Sequence, residues 1–167
     1  MFLKWSLLGL LVSAPALAQE MTPKAEYSAQ MLALEASLDR QGTVDRGWRA
    51  HGEPVLYGAL SAVTHTVHYR AYFEDCAAQT DCQRVDFLAK YDAASYTKDP
   101  DRLERFMAEH PGAGVAYHVS EPVLIVQMSA SLDPALSKRD IRQSVTSWSA
   151  LLYDVNNDLY LPNITSN

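Results

Sequence analysis

The residues with the most potential for chemistry are two cysteines and five histidines. Cys76 and Cys82 have five residues between them, a wider spacing than the Cys-x-x-Cys pattern of redox and zinc sites. They flank a short polar loop between two segments with a strand-like pattern. Because opposed positions of an antiparallel hairpin place Cα atoms about 4.5–5.5 Å apart, a disulfide can join the two residues. The spacing therefore predicts a structural disulfide that stabilises the hairpin by about 2 kcal/mol.

The histidines do not form a metal-ligand pattern. His65 and His68 are three positions apart, which places them on opposite faces of a strand. The other three, His51, His110 and His118, lie far apart in the sequence. The sequence also lacks a Gly-x-Ser-x-Gly elbow, a phosphate loop and a dinucleotide fingerprint. We therefore predict no metal, no cofactor and no catalytic residue.

Polar side chains alternate with apolar ones on both sides of the cysteine loop. On the polar face of this pattern lie Thr66, His68, Arg70, Tyr72 and Arg84. Tyrosine and arginine are enriched at the energetic centres of protein interfaces. The pattern predicts a partner-binding face, and an ordinary solvated sheet face is the alternative interpretation.

A second hypothesis is a small-ligand pocket between the last helix and the aromatic strand face. Trp148 supplies an aromatic wall from the helix, and His65 supplies a polar group within an apolar lining. The sequence is compatible with either kind of site.

A long hairpin positions most of these residues. Its apolar side chains recur with period two at Val63, His65, Val67, Tyr69, Ala71 and Phe73, and again at Val85, Phe87, Ala89 and Tyr91. Further strands are predicted at residues 55–60, 114–119 and 123–128, with a short edge strand within 43–52. Apart from the helix that separates the strand ending at Tyr91 from the strand at 114–119, the connections between successive strands are of hairpin length, which predicts an antiparallel sheet.

Three helices complete the pattern. The first is predicted over residues 24–40, with Tyr27, Met31, Leu34 and Leu38 on one stripe. The second begins at the cap Asp99 and carries Leu103, Phe106, Met107 and His110. The third has a capping box of Ser137 and Asp140, followed by an apolar stripe from Ile141 to Val155, and the tail beyond Asn156 is predicted to fray. The order α-βββ(β)-α-ββ-α predicts a single α+β domain with helices packed on the sheet.

The first residues have the composition of an export signal. Lys4 precedes an apolar run that is too short to span a membrane, and Ala16-Leu-Ala18 fits signal peptidase. We expect cleavage after Ala18 and a mature domain of residues 19–167. The formal net charge of −6, without a Lys/Arg cluster, argues against binding to nucleic acid or to anionic membranes.

Several segments together resemble the YbjN-domain family. They are Gly52-Glu-Pro-Val-Leu-Tyr-Gly58, Tyr72-Phe-Glu-Asp-Cys76 and Cys82-Gln-Arg-Val-Asp-Phe87, with Ala116-Tyr117 and Trp148 at matching places. The resemblance covers residues 24–155. It implies a fold similar to that of type III secretion chaperones and a role as a bacterial sensory-transduction regulator, and it brings no catalytic residue. An Asn-x-Trp-Asn segment of many relatives is replaced here by Leu103-Glu-Arg-Phe-Met107, so a contact made through it is not expected.

The predicted function is that of a non-enzymatic interaction module, chaperone-like or regulatory, in the periplasm or secreted. Its partner is another envelope protein or a second copy of the chain. An extended or helical segment of that partner docks on the sheet face or at a strand edge. A small-ligand-binding domain is the alternative.

Overall fold

The protein is an α+β fold built on one antiparallel sheet. A computed structural model describes residues 26–62, 65–77, 81–118 and 123–160. The helices are α1 (Ala29–Leu38), α2 (Pro100–Glu109) and α3 (Lys138–Asp154). The strands are β1 (Gly42–Trp48), β2 (Pro54–Ala62), β3 (His65–Ala77), β4 (Asp81–Asp92), β5 (Ala113–His118) and β6 (Val123–Ser131). The six strands lie in the order β1-β2-β3-β4-β6-β5, which confirms the predicted architecture, and the predicted edge strand is β1.

One face of the sheet forms the hydrophobic core. The period-two residues of the long hairpin are buried on it, from Val67 to Phe73 on β3 and from Val85 to Tyr91 on β4. Helix α1 contributes Met31, Leu34 and Leu38, and helix α3 contributes Ile141, Val145, Trp148, Leu151 and Leu152. The period-two pattern and the apolar stripes of α1 and α3 are thus confirmed, because the apolar faces of the helices pack against the apolar face of the sheet.

The opposite face of the sheet is accessible and carries both polar and apolar side chains, and we call it the open sheet face. On β1, β2 and β6 the odd-numbered residues lie on this face. On β5, on β3 from Thr66 to Glu74 and on β4 from Arg84 to Asp92, the even-numbered residues do. All of these residues are exposed or half-exposed except Val55. Side chains on this face therefore remain accessible for binding.

Two helix caps predicted from the sequence are present. Ser137 Oγ accepts a bond from the Asp140 N–H, and Asp140 returns a bond by accepting from the Ser137 N–H at 3.0 Å. The bonds from the Ser137 side chain and backbone lower the pKa of Asp140 from its ordinary value. Asp99 caps α2 by accepting from the Asp101 N–H at 3.0 Å.

Helix α1 begins later than predicted. Its cap is Ser28, so Tyr27 precedes the helix and is not part of its apolar stripe. The Tyr27 hydroxyl instead lies at the β1–β2 pair, 2.8 Å from the Val55 carbonyl oxygen and 3.0 Å from that of Gly47. Burial raises the pKa of this hydroxyl, and the backbone bonds oppose that shift.

Two local predictions are wrong. On α2, Met107 is 38% exposed and does not belong to the buried stripe. The rest of the stripe does face the protein, since Phe106 is buried, Leu103 packs against the core and the His110 ring lies against that of Phe106. The chain beyond Asn156 does not fray within the described residues, because a helical turn, Val155–Leu159, continues α3. Leu159 is fully buried, and its carbonyl oxygen accepts a bond from the Thr97 N–H at 2.8 Å.

Some predictions concern residues outside the described ranges. These are the signal peptide at residues 1–18, the strand positions 63 and 64, the turn at 121–122 and the tail from Pro162. Within the described ranges, no helix has both the length and the apolar character that crossing a membrane requires.

The predicted disulfide is present between Cys76 and Cys82, which are paired in register at the end of the β3–β4 hairpin. Asp75, one residue before the bond, has a φ of 55°, a conformation that interrupts the strand alternation. Cys82 is buried among the core residues, whereas Arg84, two positions later, is exposed. The bond therefore ties the hairpin end to the core.

Removing this disulfide tests its contribution to stability. We expect the double variant Cys76→Ala/Cys82→Ala to lose about 2 kcal/mol of unfolding free energy, because the closed loop is short. Urea denaturation followed by circular dichroism measures the loss. Asp81→Ala, an exposed change in the same turn, serves as the control and should leave the midpoint unchanged. Equal midpoints for the double variant and the control would contradict the expectation.

Candidate functional site

Strand register brings aromatic and charged residues together on the open sheet face. Asp45 of β1 is opposite Tyr57 of β2, and Tyr57 is opposite Arg70 of β3. The neighbouring row joins Val55 to Tyr72. Since opposed side chains of an antiparallel pair are close neighbours, these residues form one continuous surface.

A groove of about 630 Å³ lies over this surface, and we call it the β1–β3 groove. Its principal side chains are Trp48, Arg49, Tyr57, His68, Arg70 and Tyr72. Two of its rings are accessible, since Trp48 is 37% exposed and Tyr57 is 44% exposed. Gly47 permits this arrangement, because a Cβ there would lie 2.8 Å from the Tyr57 ring.

Two guanidinium groups meet at Tyr72. Arg49 forms an ion pair with Glu74, and its Cζ lies 4.6 Å from the centre of the Tyr72 ring. Arg70 donates a hydrogen bond to the Tyr72 hydroxyl at 3.3 Å, a bond that raises the pKa of Arg70. Stacking of a cation on an aromatic face is favourable by about 0.5–1 kcal/mol at accessible sites. Tyr72 is therefore contacted from its face and at its hydroxyl.

The structure brings together three of the five residues predicted for a partner-binding face. His68, Arg70 and Tyr72 line the groove. Thr66 is exposed opposite Ser61, farther along the hairpin.

Arg84 lies at the disulfide end of the same face. Its Nε is 3.3 Å from Asp86 and 3.5 Å from Asp75. Asp86 also accepts a bond from the Ser129 hydroxyl at 2.7 Å. Arg84 is thus engaged in ion pairs within the protein and does not line the groove.

Sequence reasoning missed Trp48, Arg49 and Tyr57. Trp48 ends β1, and its ring meets that of Tyr27 edge-on with centroids 6.0 Å apart. In a strand over residues 55–60, Tyr57 lies on the face opposite to Leu56 and Leu60, a pattern that could have placed Tyr57 on the open sheet face. No local pattern, however, places β1 beside β2 with this register.

The two residues proposed for a small-ligand pocket are not neighbours. Trp148 lies on the sheet-facing side of α3 and is fully buried, with its ring stacked on Phe87 at 5.3 Å between centroids. Phe87 is opposite Ala71, and His65 begins β3 six residues before Ala71. Six strand residues span about 20 Å. Trp148 therefore acts as a core residue.

A second groove, of about 550 Å³, lies between α3 and the β5–β6 hairpin. His110 Nε2 is 3.8 Å from Asp154 Oδ2 at its edge, and the lining consists largely of Ser, Ala and Gly. The distance exceeds that of a hydrogen bond, and the small side chains offer little apolar surface.

The groove's side chains suit recognition of another molecule. Aromatic rings cover apolar groups, and guanidinium groups bind carboxylates. Across the described ranges, no three His, Cys, Asp or Glu residues are placed to share a metal ion. No protein-family model matches the sequence, and a search of curated proteins finds no significant match.

Proposed function

We propose that the protein is an exported, non-enzymatic interaction module that binds an extended segment of another envelope protein in the β1–β3 groove. The observation that carries the proposal is the cluster of three aromatic residues and two arginines that lines the groove, namely Trp48, Tyr57 and Tyr72 with Arg49 and Arg70. The resemblance to the YbjN-domain family, and through it to type III secretion chaperones, supports a chaperone-like or regulatory role.

The composition of the groove favours protein binding. Trp, Tyr and Arg are the residues most enriched at interface hot spots, where truncation costs about 2 kcal/mol or more. Trp48 and Tyr57 still expose much of their rings, so a partner that covers them removes apolar area from water. The groove runs over three neighbouring strands, a surface on which an extended chain can lie.

The disulfide supports the proposed compartment. Structural disulfides persist in oxidising environments such as the bacterial periplasm. Cys76 and Cys82 are joined and bring the hairpin end against the core, and no free cysteine occurs in the described residues. This agrees with export through the signal sequence expected at residues 1–18.

The test is crosslinking and affinity capture from the periplasm, with a double variant Trp48→Ala/Tyr57→Ala beside the native protein. We expect one stoichiometric partner, with capture at least tenfold weaker in the double variant, which corresponds to about 1.4 kcal/mol. The matched control is Ser61→Ala/Thr66→Ala, which changes the same face outside the groove. Circular dichroism checks that all variants fold. Undiminished capture by the groove variant, or capture of no other protein, would contradict the proposal.

A further inference from the structure

Arg70 differs from the other arginines of the β1–β4 region. Arg46 pairs with Glu35, Arg49 with Glu74, and Arg84 with Asp75 and Asp86. Within the part of the chain that the structure describes, no carboxylate forms an ion pair with Arg70. Its guanidinium therefore lines the groove without an ion-pair partner, and the nearest carboxylate in its cross-strand row is that of Asp45, two strands away in the same groove.

Tyr72 holds this guanidinium in place. The Tyr72 ring lies under Arg49, which is itself fixed by Glu74, and the Tyr72 hydroxyl accepts one bond from Arg70. A guanidinium has five N–H donors, so four remain for a ligand. Because its partner is already positioned, Arg70 loses less freedom when it binds.

The surroundings of Arg70 define the complementary chemistry. Tyr57 is its cross-strand neighbour on one side, and Leu88 is its neighbour on the other. A ligand that covers these apolar groups excludes water and strengthens the attraction of Arg70 for an opposite charge. A carboxylate matches the guanidinium geometry and accepts two parallel bonds from it.

We propose that the segment bound in the β1–β3 groove carries an Asp or Glu side chain that binds Arg70, beside a large apolar side chain that packs on Trp48 and Tyr57. This inference rests on the proposed function and adds the chemistry of the partner. The carboxylate pairs with the groove arginine that has no ion pair among the described residues, and the apolar side chain covers the exposed rings.

The inference is tested with a library of random ten-residue peptides displayed on phage. The phage are selected for binding to the full protein, which is produced by secretion into the periplasm. We expect selected peptides to share an acidic residue at a constant distance from a Trp, Phe or Leu. Selection on Arg70→Glu should replace the acidic residue by Lys or Arg. Arg84→Glu, on the same face but outside the groove, is the control and should select the same acidic peptides as the native protein.

One selected peptide then measures the contact directly. Trp148→Phe leaves Trp48 as the accessible reporter for fluorescence titration, because Trp148 is fully buried. For the protein that retains Arg70, exchange of the peptide's Asp for Asn should weaken binding at least tenfold. For the Arg70→Gln variant, the same exchange should change the affinity little. A double-mutant cycle over the four combinations gives the coupling energy between Arg70 and the peptide's carboxylate.

The outcomes separate the two proposals. Peptides without a shared acidic residue, or an Asn exchange with no effect, overturn the role of Arg70. If Trp48→Ala/Tyr57→Ala still abolishes capture of the envelope partner, the proposed function stands. If the library yields no binder and the groove variant captures the partner undiminished, both proposals are wrong.

Discussion

Replacing Trp148 by alanine is expected to lower the free energy of unfolding by about 3–5 kcal/mol. The side chain is fully buried and stacks on Phe87, at the contact between α3 and the centre of the sheet. Its removal leaves a cavity that close-packed neighbours fill only in part. A loss of this size is a large fraction of the total stability of a domain, so partial unfolding at 37 °C is expected.

Trp148→Phe is the matched control for this prediction. It retains an aromatic ring on Phe87 and removes the indole N–H, which has no hydrogen-bond partner among the described residues. An unpaired buried donor carries a desolvation cost, so its removal offsets part of the lost packing. Urea denaturation followed by far-ultraviolet circular dichroism gives both values, since fluorescence changes with the substitution. If alanine cost no more than phenylalanine, the core role of Trp148 would be wrong.

Leu159→Ala is expected to cost about 2–5 kcal/mol, although Leu159 lies in a segment whose sequence suggests a loose tail. Leu159 is fully buried, and its carbonyl oxygen accepts the Thr97 N–H bond. One turn earlier, Asn156 accepts a hydrogen bond from the Tyr96 hydroxyl at 2.7 Å. The turn therefore connects the end of α3 to the segment before α2.

The control for Leu159→Ala is Asn157→Ala, an exposed position of the same turn that should change stability by less than about 0.5 kcal/mol. Hydrogen exchange at the Thr97 amide provides a local readout, because loss of the turn exposes this donor to solvent. Similar unfolding free energies for the two variants, with unchanged exchange at Thr97, would show that the turn does not stabilise the fold.

Local rules were sufficient where a residue's role depends on its near neighbours. The Ser137 and Asp140 capping box, the Asp99 cap and the Cys76–Cys82 pair all act within a few residues of chain. The period-two pattern of the long hairpin was equally informative, because one strand face is buried along its whole length.

Local rules failed where burial depends on distant partners. Met107 has the helical spacing of a core residue but remains exposed, since only one side of α2 meets the rest of the protein. Leu159 lies in a segment whose composition suggests a tail, but it is buried in the core, and its carbonyl oxygen accepts a hydrogen bond from the Thr97 N–H. Secondary-structure propensity describes which element a segment can form, and tertiary contacts decide whether its side chains are buried.

The α+β class, the order of the elements, the disulfide and three residues of the groove, His68, Arg70 and Tyr72, were predictable from the amino-acid sequence. These follow from alternation and spacing along single strands. The contribution of Trp48, Arg49 and Tyr57 to the groove, and the position of Arg84 outside it, depend on the folded arrangement of the strands. The reason is that strand pairing and register join residues far apart in the chain, and the balance of charge around Arg70 exists only once those strands are side by side.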